Sequence, residues 1–477
     1  MSLKFGTSGL RGLSSDLNGP AAALYATAFA QYLLSSGQAS PGDPILLGRD
    51  FRDSSPSISA ICAGALARAG LTVQDCGTVP TPALALYGLE KGAAGLMITG
   101  SHIPADRNGI KFYRPDGEIA KADEQAIGAA ADAFRAQASA IDATPGQAED
   151  HVAQAESLFL ARNKAILPGD ALSGLKVGVY QHSTVARDMF VEVLAHYGAD
   201  VVPLGRSAEF VPVDTEAVSP ATIGLLKGWA SEHKLDAIVS ADGDGDRPLV
   251  SDETGLPLRG DLLGLIAAQF VGATVAVTPI TSNSGLERQE GLSVLRTRVG
   301  SPFVIEAMQD AARDGKTGVV GFEANGGTLT ATDFMLNGTV LKALPTRDSF
   351  LPVLALLSLA AHRQRPLSSI VTDIALPVAL ADRIENFPLE TSAALMAHLR
   401  AGMDNLSAFL KPIGTPQSVS DIDGLRVTLS DLSIIHFRPS GNAPEMRCYV
   451  EAETADKAES LLEQGLARIR AFGSQRG

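Results

Sequence analysis

Three aspartates alternate with glycines in Asp242-Gly243-Asp244-Gly245-Asp246, and Arg247 follows directly. In an extended loop, residues two apart project to the same side, and the intervening glycines add no bulk, so the carboxylates can converge. Three anions held this close repel one another, which a divalent cation relieves, and an all-oxygen donor set suits Mg²⁺ better than zinc. An Asp-Gly turn without a metal is the plainer alternative. An EF-hand fails, although Glu253 lies eleven residues after Asp242, because Arg247 stands where that loop requires glycine.

The second chemical signal is a hydroxyl at the end of a strand. The apolar run Leu96-Met97-Ile98 leads into Thr99-Gly100-Ser101-His102, and Pro104 with Asn108-Gly109 keeps the chain turning until Ile110-Lys111-Phe112 resumes an extended pattern. Such a segment presents Ser101 at the rim of a sheet, unless Ser101 and His102 only satisfy a turn. Three further loops pair polar groups with glycine. Phe5-Gly6-Thr7-Ser8-Gly9-Leu10-Arg11-Gly12 is either a flexible terminus or a glycine-rich backbone that approaches an anion and aims one guanidinium at it. Glu323-Ala324-Asn325-Gly326-Gly327 sets an acid and an amide together, a pair suited to sugar diols unless Glu323 is only a helix or turn carboxylate. Arg438-Pro439-Ser440-Gly441-Asn442-Ala443-Pro444, with Glu445, Met446 and Arg447 after it, combines a guanidinium, a hydroxyl and exposed backbone N–H groups, a nest for a terminal phosphate unless it is a surface loop with incidental arginines.

These loops need elements to hold them, and the chain alternates helical and strand patterns throughout. Helices are expected over 20–36, 55–69 and 123–137, with strands at 45–47 and 71–76 and a turn at Thr78-Val79-Pro80-Thr81-Pro82. A small, polar stretch from Ser139 to His151 reads as a linker. A second unit follows with helices 152–166 and 185–197 and strands 175–180, 200–203 and 237–240, the last running into the aspartates. A third has helices 260–271, 303–313 and 348–362 and strands 274–278, 295–299 and 318–322. After a basic hinge at 363–367 the pattern changes to strands near 370–379, at 424–429, 434–437 and 448–452, and a final helix over 455–472. The expected domains are 1–150, 151–256, 257–366 and 367–477.

A chain of 477 residues with 45% hydrophobic and 19% charged content is too long for one core and is globular. With 39 basic and 53 acidic residues the net charge is −14, which disfavours nucleic acid and anionic membranes as partners. The single Trp229 and few aromatics offer no base-stacking platform. Cys62, Cys76 and Cys448 are odd in number and widely separated, which fits buried thiols in a reducing compartment. The N-terminus lacks the apolar core of a signal peptide and the apolar run 350–361 is too short to span a bilayer, so a cytoplasmic location is expected.

Together the motifs FGTSGLRG at 5–12, TGSHIPADRNGIKF at 99–112, DGDGDR at 242–247, FEANGG at 322–327 and RPSGNAP at 438–444 make the chain resemble the α-D-phosphohexomutases over essentially its whole length. The resemblance implies three similar mixed α/β domains and a C-terminal α+β domain around a central active-site cleft. It implies a phosphoserine at Ser101 and one Mg²⁺ held by Asp242, Asp244 and Asp246 together with Ser101. Arg11, His102, Lys111 and Arg247 would surround the transferring phosphoryl group, with His102 or Lys111 moving the hydroxyl proton. Glu323 and Asn325 would read sugar hydroxyls, while Arg438, Ser440, Gly441, Asn442 and Arg447 would bind the substrate's other phosphate. The implied reaction interconverts hexose 6-phosphate and hexose 1-phosphate through a hexose 1,6-bisphosphate, in a monomer or homodimer whose partners are phosphosugars. Mannose or glucose is the expected hexose, with glucosamine or N-acetylglucosamine as the alternative. The family's serine loop commonly reads T-A-S-H-N-P, so Gly100 and Ile103 are departures, as are Asn442 and Ala443 in the phosphate loop. A serine hydrolase would need a G-x-S-x-G elbow and gives the aspartates no role. A sugar-phosphate sensor would need neither serine nor metal.

Overall fold

The computed structural model describes residues 3–6, 9–137, 141–440 and 444–474. The chain forms two compact units, one from Met1–Val277 with Gly300–Val371 and the other from Thr278–Val299 with Thr372–Gly477.

Three mixed sheets organise the first unit. In the first, Pro44–Arg49 lies parallel to both Thr72–Asp75 and Ala94–Ile98, and Ala94–Ile98 pairs antiparallel with Arg107–Arg114, which in turn pairs with Gly9–Leu13. Helices Pro20–Ser35 and Ser55–Arg68 cover it. Both carry Pro in the first turn, where its missing N–H costs nothing, and both are rich in alanine, the best helix former. Their small side chains let Phe29, Ile58 and Leu66 close over Ile45, Leu47 and Leu96, all nearly fully buried. In the second sheet Lys176–His182 is parallel to Asp200–Arg206 and Ala237–Ala241, and Ala237–Ala241 turns back antiparallel into Pro248–Ser251. In the third, Val319–Phe322 is parallel to Val275–Pro279 and turns back into Thr328–Thr330, which pairs with Leu344–Asp348.

The plan repeats: a parallel core strand ends, the chain makes a hairpin, and an antiparallel strand follows. Ser101 lies in the hairpin loop after Ala94–Ile98, the aspartates in the turn closed by Ala241 opposite Pro248, and Glu323 in the turn closed by Phe322 opposite Thr328. A fully buried parallel strand has no side open to solvent, so polar side chains collect at its end.

The second unit is α+β. Its antiparallel sheet runs Val378–Ile384, Met446–Ala452, Ile434–Pro439, Leu425–Leu429, Pro416–Ser420. Helices Leu389–Arg400, Met403–Leu410 and Ala455–Ser474 pack a core of Leu395, Phe409, Phe437, Cys448 and Ile469 against it. Arg438 lies at the end of Ile434–Pro439, which pairs antiparallel with Met446–Ala452.

Two expectations are corrected. The strand expected near 370–379 is a short helix, Leu367–Asp373, and the strand begins at Val378. Pro366 and Pro377 explain the shift. Pro366 starts the helix, its carbonyl accepting from Ser369 and Ile370, and Pro377 stands just before the strand. The segment read as a turn at 78–82 also starts a helix, Thr81–Lys91, with Pro82 in its first turn. Helix Pro220–His233, capped by Ser219 accepting from the Thr222 N–H, and the two helices between 389 and 410 were not assigned from sequence. Two internal glycines, Gly224 and Gly228, in the first and the break at Gly402 between the other two dilute the periodic signal. Among the described residues no helix is long and apolar enough to cross a membrane, and the three cysteines are buried and unpaired.

Candidate active site

Ser101 is 1% exposed and adopts a left-handed backbone, φ 54°, unusual for a residue with a Cβ. The strain is held by local hydrogen bonds. The Ser101 N–H donates to Thr99 Oγ1 at 2.7 Å, Thr99 Oγ1 donates to Asp50 Oδ2 at 2.7 Å, and the Gly100 N–H donates to the same oxygen at 3.3 Å. The conformation points the Ser101 hydroxyl at the aspartate loop, where it donates to Asp242 Oδ2 in a short contact. His102 Nδ1 lies 3.3 Å from Ser101 Oγ and accepts from Arg247 Nη1 at 3.0 Å. A guanidinium only donates, so Nδ1 carries no proton. Burial, and then the charge of Arg247, push the His102 imidazolium down to about 3, so the ring is neutral.

The three aspartates are fully buried, with ligand oxygens all within 4.8 Å of one another. The second oxygen of each carboxylate is tied elsewhere. Asp244 Oδ2 accepts from Lys111 Nζ at 2.5 Å and Thr81 Oγ1 at 2.6 Å. Asp246 Oδ2 accepts from Lys111 Nζ at 2.6 Å and from Arg347 Nε and Nη2 at 3.1 and 2.9 Å. Asp242 Oδ1 accepts from the N–H groups of Asp246 and Arg247, each at 3.2 Å. This leaves Asp244 Oδ1 and Asp246 Oδ1 buried without a hydrogen bond, although Arg247 Nε lies 3.7 Å from the latter. Buried carboxylate oxygens without a donor are costly, and a hard divalent cation is the partner their chemistry suits. The residues therefore fit a metal.

Burial alone would raise all three carboxyls. Asp242, with Asp244 and Asp246 adding to burial, is pushed well above the usual range. Asp246 falls below it, because Arg347, Lys111 and Arg247 outweigh its burial. Lys111 is affected in the mirror sense: burial would lower its ammonium, but Asp244 and Asp246 raise it. Arg11, on the strand Gly9–Leu13, is pushed down to about 10 by burial and by Arg247 and Arg347. Arg11, Arg247, Lys111 and Arg347 thus crowd the aspartates with positive charge, an arrangement suited to a phosphate.

Glu323 and Asn325 sit in the next hairpin turn, 6% and 5% exposed. Glu323 Oε1 accepts from Arg347 Nη1 at 3.1 Å. Asn325 Oδ1 accepts from the Gly327 N–H at 3.1 Å, and its main-chain carbonyl accepts from Thr215 Oγ1 at 3.2 Å. One guanidinium, 2% exposed, therefore links the aspartate loop to the acid-amide loop. The sequence reading assigned no role to Arg347, nor to Thr81 or Asp50. The signal available was a short polar run, Thr346-Arg347-Asp348-Ser349, ending a strand just before an apolar helix.

In the second unit the Arg438 guanidinium reaches Asp423 Oδ1 at 2.9 Å, and the Ser440 N–H donates to the Glu445 carbonyl at 3.0 Å. Gly441 and Asn442 lie outside the described residues. Arg438 pairs directly with Arg447 across the sheet, and Arg447 with Arg383 on its other side. Like charges in register repel, so this row of three arginines, which sequence reading found only in part, calls for anionic partners. Asp423 and Glu445 supply some of that charge.

Models of phosphoglucomutase/phosphomannomutase alpha/beta/alpha domains I, II and III match residues 2–137, 159–255 and 259–376. The chain is 57% identical over 467 residues to a phosphomannomutase of Sinorhizobium fredii, covering 98% of each. It is 38% identical over 473 residues to a phosphomannomutase of Salmonella muenchen, covering 98% of this chain and 96% of the relative. A phosphoglucomutase/phosphomannomutase family protein of known structure from Burkholderia thailandensis has the same fold, with a TM-score of 0.76 at 20% identity, over 99% of this chain and 98% of that one. With domain models matched along most of its length and full-length relatives well above 30% identity, the chain belongs to the phosphoglucomutase/phosphomannomutase family.

Proposed function

We propose that this protein is a phosphohexomutase acting on mannose phosphate, and on glucose phosphate as a second substrate, with Ser101 as the residue that carries the phosphoryl group. The observation that carries the reading is the buried Ser101 hydroxyl bonded to Asp242, in a triad whose other members each keep a partnerless oxygen. Asp242, Asp244 and Asp246 would hold Mg²⁺, with Ser101 contributing once phosphorylated. The ion supplies positive charge against the phosphoryl oxygens.

On this reading a hexose 6-phosphate accepts the phosphoryl group on O1 from Ser101, giving the 1,6-bisphosphate. After the bisphosphate reorients, its 6-phosphoryl returns to Ser101 and hexose 1-phosphate departs. Phosphoryl transfer spreads negative charge over the equatorial oxygens, so the protein's task is positioning and charge. Arg11 and Arg247 would hold those oxygens. Lys111, kept as an ammonium, would neutralise charge on the departing oxygen and give it a proton. His102, neutral and with Nδ1 accepting from Arg247, carries its proton on Nε2 and would donate a hydrogen bond from there to a phosphoryl oxygen, while Lys111 regains the proton it gives from the attacking hydroxyl. Asn325 has its side-chain oxygen committed to the turn, so its NH₂ and Glu323 would read adjacent sugar hydroxyls. The Arg438, Ser440 and Arg447 cradle, with Gly441 and Asn442 between, would bind the phosphate that is not reacting.

The test is turnover of mannose, glucose, glucosamine and N-acetylglucosamine 1-phosphates with Mg²⁺ and a trace of the matching bisphosphate. The highest kcat/KM is expected for mannose 1-phosphate, then glucose 1-phosphate. Preference for an amino sugar would overturn the substrate assignment, and no turnover of any would overturn the activity.

A further inference from the structure

Beneath the serine loop lies a guanidinium that no step above uses. Arg52 is 1% exposed, in the loop that follows Pro44–Arg49. Its five N–H donors meet five acceptors. Nε donates to Asp50 Oδ2 at 3.1 Å, Nη1 to the carbonyls of Pro104 and Arg107 at 2.6 and 2.8 Å, and Nη2 to those of Ser101 and Ile103 at 3.0 and 2.7 Å. Four of the five are main-chain oxygens, three in the loop that carries Ser101 and one, of Arg107, where that loop enters the strand Arg107–Arg114. Arginine has no further donor to give.

The packing around this side chain is as specific as its hydrogen bonds. A Cβ on Gly100 would lie 2.6 Å from Arg52 Cζ, and the Phe210 ring centroid is 3.9 Å from the same atom. A Cβ on Gly243, between the first two aspartates, would lie 2.8 Å from both Phe210 and the Ser101 carbonyl. The loop, the guanidinium, the ring and the aspartate turn thus form one close-packed stack. With Arg52 seated as it is in this chain, a Cβ at position 100 would have to push its guanidinium out of place.

We infer that Arg52 is the positioning residue of the serine loop: its saturated fork, seated in the space left by Gly100 and covered by Phe210, fixes Ser101 in the left-handed conformation that directs its hydroxyl at Asp242. Arg52 touches no substrate and acts through the backbone. The inference rests on Ser101 being the phosphoryl carrier for its catalytic consequence, but not for its structural one.

Two readouts separate these. Lysine has three donors and no planar fork, so Arg52→Lys leaves loop carbonyls unsatisfied. Its kcat should fall roughly 100-fold with KM within about twofold, the scale of an ångström-level misplacement of a reacting group. Amide exchange of residues 100–107 should quicken while the strands Ala94–Ile98 and Pro44–Arg49 stay protected. Gly100→Ala should lower kcat at least tenfold in the native background, yet add nothing in an Arg52→Ala background where the clash is gone, a non-additivity that general destabilisation does not produce. If Arg52→Lys fails to fold, the Gly100→Ala variant and its exchange profile decide. Unchanged kcat together with unchanged loop exchange in either variant overturns the inference. Full turnover by Ser101→Ala would instead overturn the assignment of the carrier, leaving the exchange result to judge Arg52.

Discussion

Replacing Arg347 with methionine tests whether one buried guanidinium joins the aspartate loop to the acid-amide loop. The methionine fills much of the same space and makes none of the three hydrogen bonds to Asp246 and Glu323. The partner side chains are 1% and 8% exposed, so water cannot replace the lost donors without opening the site. Removing one partner of a buried ion pair costs about 3–5 kcal/mol, because the remaining charge is left uncompensated. At roughly 2 °C per kcal/mol for a unit of this size, the metal-free protein should melt about 6–10 °C below the native one. Mg²⁺ should restore part of the loss, since it supplies charge to Asp246, so the Mg²⁺-induced rise in Tm should be larger in Arg347→Met than in the native protein. Arg347→Lys, which keeps a charge but not the fork, should fall between. Calorimetry in chelator and in Mg²⁺ measures both quantities. A metal-free Tm within about 1 °C of native would refute the argument, because it would mean that the buried carboxylates do not depend on this partner.

Other outcomes follow from the same geometry. In Asp244→Asn the side-chain oxygen should stay with its two donors, Lys111 and Thr81, which places the NH₂ where the partnerless oxygen was. Mg²⁺ affinity by titration calorimetry should fall at least tenfold, and an unchanged affinity would remove Asp244 from the ligand set. His182, fully buried and donating from Nε2 to the Ala241 carbonyl just before the aspartates, is pushed by burial from 6.5 down to about 4. The unfolded chain binds that proton first as pH falls, so the contribution is nil above 6.5 and destabilising from 6.5 to 4, reaching about 3 kcal/mol. His182→Gln, which can keep the hydrogen bond but does not titrate, should lose less stability over that window, and parallel stability curves would contradict the claim.

The sequence disclosed the chemistry of the site more readily than its support. Each loop read as functional carries its own punctuation: glycines around Asp242, Asp244 and Asp246, a Gly-Ser after an apolar strand, a Glu-Ala-Asn-Gly-Gly turn. All are hairpin turns, whose residue types are dictated locally. Arg347, Asp50, Arg52 and Thr81 are different. Each is an ordinary polar residue beside a strand end or helix start, and becomes informative only when the fold brings it to a partner 24 to 163 positions away. The same contrast holds for the elements. Long apolar helices such as Phe350–Arg363 and strands such as Ala237–Ala241 were legible from pattern. Leu367–Asp373 was not, because its seven residues between two prolines fit a strand as well as a helix until Leu367 and Ile370 are seen to be buried together.

The central claim is that the hydroxyl of residue 101 is the group that takes and returns the phosphoryl. The direct measurement is peptide mass spectrometry of the protein after incubation with a hexose 1,6-bisphosphate and Mg²⁺, repeated after chasing with hexose 6-phosphate. One phosphoryl group on the peptide containing Ser101, lost on the chase as bisphosphate forms, is the result expected. Mutase turnover with no phosphoryl on that peptide, or turnover retained in Ser101→Ala, would contradict it.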